Sequence, residues 1–267
     1  MDEQSRRNFQ WPDGTVYEGQ YKDGLRHGRG TMRQPDGCKA YEGEWEKGNM
    51  HGHGVYSLPN GSVYKGQFEF NRRHGQGNKT YANGSSYEGQ WQKGKKHGYG
   101  IYKRLSGSVY QGHWKNGKRH GIGKYTWADG SVFEGDWEDG LRHGQGTVTE
   151  ADGRSYSGHW QRDKKHGRGV YRWINGSVYD GELEGDIIQG RGTYTDSGGW
   201  SYKGVWVDGK KHGDGVYRWP DGSAYVGQYD SDQRQGTGAM MDMDGSRYKG
   251  QWYMDKMHGN IVINQIV

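Results

Sequence analysis

An aromatic residue followed two positions on by Gly and ten positions on by His-Gly recurs along this chain with a period of 23 residues. The copies open at Tyr17, Tyr41, Tyr64, Tyr87, Tyr110, Phe133, Tyr156, Tyr179, Tyr202, Tyr225 and Tyr248, and only the step from Tyr17 to Tyr41 is one residue longer. A fixed period in this range marks a stacked, quasi-one-dimensional architecture in which each unit packs on its neighbours. Composition read without the period would mislead. Hydrophobic content of 30% and a mean hydropathy of −1.24 are values of disordered chains. Yet 14% of residues are aromatic and the 51 glycines sit at set offsets, so the chain reads as ordered structure with a thin core.

The fourth copy, Tyr87-Glu88-Gly89-Gln90-Trp91 and then His97-Gly98-Tyr99-Gly100-Ile101-Tyr102, shows what one unit builds. Strand side chains alternate between faces, so Tyr87, Gly89 and Trp91 share one face and Glu88 and Gln90 the other. The simplest register sets Tyr87 across from Tyr102, Gly89 across from Gly100, and Trp91 across from Gly98. Aromatics then flank a trough floored by glycine, and register follows the buried face. Gln92 to Lys96 closes the hairpin, with Gly94 at a position that calls for positive φ. Asn-Gly or Asp-Gly pairs, such as Asn60-Gly61, Asn83-Gly84, Asn175-Gly176 and Asp221-Gly222, turn each copy into the next. The expected fold is all-β: an up-and-down antiparallel meander of roughly 22 strands, about 100 Å long at the usual strand spacing.

These residues resemble the MORN repeat family over about Tyr17 to Gly259. The resemblance implies an elongated single-layer solenoid of stacked β-hairpins, rolled into a twisted half-pipe with its aromatics inside the curve. It also implies a scaffolding or tethering role, often at cytoskeletal structures, cilia or membranes. Residues 1–16 read as a tail plus a partial leading repeat around Phe9 and Trp11-Pro12-Asp13-Gly14. Residues 17–259 read as eleven tandem repeats, and residues 260–267 as an apolar edge strand or cap.

Little here suggests catalysis. His-Gly pairs at the same place in nine repeats invite a metal reading, but neighbouring copies stand about 10 Å apart, too far to share one zinc. Each histidine is expected to close its hairpin instead. No glycine-rich turn precedes a helix, so there is no phosphate loop, and Glu18, Glu42, Glu88 and Glu134 fall on the outer strand face without a desolvating pocket. No enzyme, metal or cofactor is expected. Met1 to Asn8 holds no apolar leader, nothing approaches a membrane span, and the single Cys38 fits a reducing compartment, so the expected place is cytoplasmic.

The partner surface is expected on the ring face: Tyr64, Tyr87, Trp91, Tyr102, Tyr110, Trp114, Tyr125, Phe133, Trp137, Tyr156, Trp160 and Tyr171. A half-pipe left open exposes an apolar stripe, suited to an amphipathic helix or an extended peptide. The hairpin tips carry Arg72, Arg73, Lys95, Lys96, Lys118, Arg119, Arg142, Lys164, Lys165, Lys210 and Lys211, a ladder suited to acidic tubulin tails or anionic lipid. Nucleic acid is not expected, because rings turned into the groove cannot stack bases while the far edge holds phosphates. A 46-residue superperiod overlies the repeat: seventeen residues after the opening aromatic stand Trp127, Glu150, Trp173, Asp196, Trp219 and Asp242. At the eighth tip Ile187 and Ile188 replace the cations. With Ile261, Ile263 and Ile266 of the final strand, they are candidate edge or dimer contacts. The reading as a whole is a non-enzymatic scaffold, similar to radial spoke head and other cytoskeletal MORN proteins, the alternative being a peripheral adaptor on acidic phospholipid.

Overall fold

The computed structural model describes residues 5–258, and among them every regular element is a β-strand. The 23 strands form one antiparallel sheet, in which each described pairing joins sequence neighbours. Within a repeat a seven-residue strand such as Ser86–Gln92 is followed by a nine-residue strand such as Lys95–Lys103. The leading half repeat is also a strand, Ser5–Gln10, with Phe9 opposite Tyr17. That strand lies within residues 1–16, read above as a tail plus a partial leading repeat. By contacts the chain divides into two units, residues 1–129 with 137–140, and residues 130–136 with 141–267.

The register inside a hairpin matches expectation at its open end and departs at its closed end. Tyr87 faces Tyr102 and Gly89 faces Gly100, but Trp91 faces Lys96. A β-bulge between Gly89 and Trp91 absorbs the offset, and Gly98, at φ +53°, supplies the left-handed backbone that the bulge needs. Gly98 is instead opposite Trp114 of the following repeat. Two extra residues in the second strand bring Lys96, rather than Gly98, opposite Trp91 and onto its face, so the second residue of that strand meets the rings.

Two kinds of tip close the hairpins. Where glycine leads, as at Gly94 and Gly117, its N–H donates to the carbonyl of Arg73 or Lys96 in the preceding hairpin, at 2.9 Å. Where Asn71, Asp163, Asp186, Asp232 or Asp255 takes that place with positive φ, the side chain adds a second bond. Asp163 Oδ1, for example, accepts the Arg142 N–H at 2.9 Å. Asp186, which stands where other loops have glycine, caps Lys165 in this way. At the other edge the Asx residue of each turn accepts the N–H two residues on, as Asn60 does from Ser62.

The core is one layer of rings laid over paired glycines. Tyr17, Tyr41, Tyr64, Tyr87, Phe133, Tyr156, Tyr179, Tyr202 and Tyr225 are 0% exposed. Bare backbone beneath each ring permits this. A methyl on Gly112 would stand 2.5 Å from Gly123 Cα, and one on Gly123 would stand 2.6 Å from Tyr110 Cζ. Each opening tyrosine also donates its hydroxyl to a carbonyl three residues on, as Tyr110 does to His113 at 2.9 Å.

Candidate functional site

The ring face was the expected partner surface, and the structure sorts its residues into two tiers. The buried tier holds Tyr64, Tyr87, Trp91, Tyr110, Trp114, Tyr125, Phe133, Trp137, Tyr156 and Trp160, none more than 6% exposed. Their contacts run from repeat to repeat. Tyr87 meets Trp91 edge-on at 5.1 Å and Trp114 of the next copy at 5.4 Å. Trp91 donates its indole N–H to Gly77 O at 3.1 Å, and Trp114 to Gly100 O at 3.2 Å. These rings are the cement between hairpins, which corrects the expectation that they line an open trough: a single-layer sheet has no other core. Of the expected groove set, only Tyr102 and Tyr171 remain half-exposed.

Apart from Tyr102 and Tyr171, the accessible tier consists of rings that served in the sequence only as markers of the superperiod, or had no place in the expected groove. In the second unit Tyr171, Trp173, Tyr194, Trp200, Tyr217 and Trp219 form an unbroken half-exposed strip. Successive centroids lie 4.5, 5.4, 4.9, 5.1 and 4.5 Å apart, and Trp200 stacks on Tyr217 at 11°. Trp200 stands where other copies have a buried serine, such as Ser177 and Ser223. That serine is itself a link that sequence reasoning missed. Ser62 Oγ accepts the Ala82 N–H, Ser131 Oγ the Ala151 N–H and Ser177 Oγ the Ser197 N–H, each joining one turn to the next. Its signal was the serine after Asn-Gly or Asp-Gly. Between the tryptophans, Asp196 lies 3.3 Å from Ser177 Oγ and 3.4 Å from the Tyr194 hydroxyl.

The basic ladder divides in the same manner. Arg72, Lys95, Lys118, Lys164 and Lys210 are exposed at the tips, with Lys118 Nζ 3.7 Å from Asp139. Their neighbours Arg73, Lys96, Arg119, Arg142, Lys165 and Lys211 are half-buried on the ring face. Arg73 lies 4.3 Å over Trp91, Lys96 4.3 Å over Trp114, Arg119 4.1 Å over Trp137 and Arg142 4.2 Å over Trp160. Lys165 and Lys211 lie over Tyr171 and Tyr217 at 4.8 and 5.3 Å. The arginines also donate to the next loop, Arg73 to Gly94 O at 2.8 Å and Arg119 to Gly140 O at 2.6 Å. Half of the predicted ladder is therefore interior structure, because an amphipathic cation gains more over a desolvated ring than at a tip. Burial among rings and neighbouring cations lowers the Lys96 ammonium to about 8.

The apolar tip of the eighth repeat also separates. Ile188 faces Leu183 in register and is half-buried, taking the inward cation's place, whereas Ile187 is 50% exposed. Ile261, Ile263 and Ile266 lie outside the described residues. The hairpin histidines from His27 to His166 are half-buried beside their own tips, and His212 and His258 are exposed. His74 Nδ1 lies 3.0 Å from Glu69 and His51 Nε2 3.4 Å from Glu46. Among the described residues no three His, Cys, Asp or Glu side chains converge on a metal position, and no helix is long and apolar enough to cross a membrane.

The family model for the MORN repeat matches this chain in consecutive segments, 17–39, 41–63, 64–86, 87–109, 110–132, 133–153, 156–178, 179–201, 202–224, 225–247 and 248–260. The chain belongs to the MORN repeat family. The opening aromatic of each MORN repeat, and the Trp that seven of them carry four positions on, are buried like the tier described above. No curated protein matches the chain. Among solved structures, the TCP10 domain of Danio rerio CPAP, in complex with a peptide of Danio rerio STIL, is 11% identical over 98% of this chain and 100% of that one, with a TM-score of 0.45. The SAS-4 (dCPAP) TCP domain of Drosophila melanogaster, in complex with a proline-rich motif of Ana2, is 11% identical over 66% of this chain and 90% of that one, with a TM-score of 0.38.

Proposed function

We propose that this MORN protein is a non-enzymatic scaffold that tethers protein partners in a ciliary or other cytoskeletal assembly. MORN repeats suggest a protein-binding scaffold, and the observation that carries the finer reading is the half-exposed strip from Tyr171 to Trp219. Its rings are rigid, since each packs on the next. They are large and amphipathic, the residue types on which binding energy concentrates. Their carboxylate, Asp196, favours a partner segment with a basic residue among apolar ones, in an extended peptide or on one face of a helix. The exposed tip lysines suit acidic protein tails such as those of tubulin.

The test is cross-linking capture from ciliated cells with wild type and a Trp173→Ala/Trp219→Ala variant, both first shown to unfold at the same denaturant midpoint. Loss of cytoskeletal partners in the variant is the expected result; an unchanged partner set overturns the reading. Docking on acidic phospholipid is the competing outcome. With half of the ladder turned inward, vesicles should bind feebly, and strong flotation that needs Lys95, Lys118, Lys164 and Lys210 would favour the membrane instead.

A further inference from the structure

Fifteen residues after each opening aromatic stands Met32, Tyr56, Lys79, Tyr102, Tyr125, Val148, Tyr171, Tyr194, Tyr217 or Met240. The third copy alone puts a charge there. Lys79 faces Tyr64 in register, in the strand Arg72–Thr80 that also carries the inward Arg73, and its ammonium lies 4.6 Å over Tyr81. Lys96 of the next hairpin approaches the same Tyr81 at 5.7 Å. Burial and then the nearby Arg73 lower Lys79, and burial and then Lys79 and Arg104 lower Lys96. Glu69, in register with Arg72, directs its carboxylate to His74 at 3.0 Å. The second unit is different: its superperiod brings Glu150, Asp196 and Asp242 where the first unit has Tyr81 and Arg104.

Beside Lys79 is a cavity of about 310 Å³. Met50, Tyr56 and Phe68 give it apolar walls, and Arg72, Arg73 and Lys79 are the charged groups that line it, all of one sign. Cations gathered at an apolar cavity without a counter-charge repel one another, and a bound anion relieves that cost. A guanidinium and an ammonium together suit a phosphoryl dianion better than a single carboxylate, through a fork and a point charge. The apolar walls call for a flat organic body on that phosphate.

We propose that this cavity binds the phosphorylated tyrosine side chain of a partner protein, its ring between Met50, Tyr56 and Phe68 and its phosphate on Arg73 and Lys79. A membrane is the poorer occupant, because Lys79 is recessed among rings while the exposed cations stand at the tips. The protein carrier rests on the scaffold reading above; recognition of an aryl phosphate does not.

The full-length protein is titrated by calorimetry with phenyl phosphate, with inorganic phosphate, and with a phosphotyrosine peptide and its unphosphorylated form. Lys79→Tyr restores the residue usual at this place in the repeat and so keeps the fold while removing the charge. Phenyl phosphate and the phosphopeptide should bind wild type, and Lys79→Tyr should weaken both by about tenfold or more, the value of one charge-assisted contact. Arg73→Lys should weaken them too. Equal binding by Lys79→Tyr, or inorganic phosphate binding as tightly as phenyl phosphate, overturns the site. Phenyl phosphate binding without phosphopeptide binding removes the protein carrier and leaves the scaffold reading to its own test. Lys79-dependent flotation on phosphoinositide vesicles, with no phosphopeptide binding, assigns the cavity to lipid.

Discussion

At the scale of single residues the repeat contains its own controls. Phe133 opens the sixth copy where the others have tyrosine, and it has no hydroxyl to give to the carbonyl three residues on. The ring is fully buried in the common position, so Phe133→Tyr should add that bond and stabilise the protein by about 1 kcal/mol, read as a higher urea midpoint at unchanged slope. Gly123→Ala tests the converse, since its methyl would press on the Tyr110 ring. Overpacking of this kind should cost about 1–3 kcal/mol and, if the ring is displaced, alter near-UV circular dichroism. The buried Tyr, Gly and Trp positions were legible in the sequence because a ring over a Cβ-less backbone needs those types at a strict spacing. Which rings stay accessible was not legible. Tyr171 and Tyr156 are the same residue type on the same face, and only the overlap of neighbouring repeats buries one and spares the other.

At the scale of the hairpin, one β-bulge accounts for most of what sequence reasoning misplaced. Parity alone puts Trp91 opposite Gly98. Two extra residues at the His-Gly step shift it to Lys96 and so bring one of each pair of basic residues against the rings. The Gly in His-Gly carried the signal, for positive φ beside a ladder marks a bulge as readily as a turn. The inward cation then links successive hairpins: Arg142 lies over Trp160 and binds both the Asp163 side chain (3.1 Å) and its carbonyl (2.8 Å). Arg142→Met keeps the apolar stem and removes those bonds, so about 1–3 kcal/mol should be lost. Arg162→Met, at the exposed tip beside it, should change stability by less than about 0.5 kcal/mol. Equal effects would mean that the inward cations are solvated and link nothing. The hairpins, their turns and the order of their strands were legible, because strand alternation and Asn-Gly or Asp-Gly signals act over a few residues. The serine and arginine links were not, since they join residues 20 or 21 apart that only stacking brings together.

For the whole molecule, repetition turns one local feature into a global property, and pH is the variable that exposes it. Burial raises Tyr17, Tyr64, Tyr156, Tyr202 and Tyr225 from 10.0 to about 12, while it lowers Lys96 from 10.5 to about 8. Lys79 and Lys165 move down with Lys96. Between pH 8 and 10 the unfolded chain keeps the Lys96 proton that the folded chain has released, so stability rises with pH. Between pH 10 and 12 the unfolded tyrosines ionise while the buried ones stay neutral, and stability falls. Five or more tyrosines share that second limb and few lysines the first, so the fall should be much the steeper. Urea unfolding at pH 7.5, 9.5 and 11.5 should therefore show its highest midpoint at pH 9.5. In Lys96→Met the rise from pH 7.5 to 9.5 should shrink and the loss at pH 11.5 should remain. A wild-type midpoint that fell steadily from pH 7.5 would show the inward lysines to be as well solvated as those at the tips, and the division of the basic ladder would go with it.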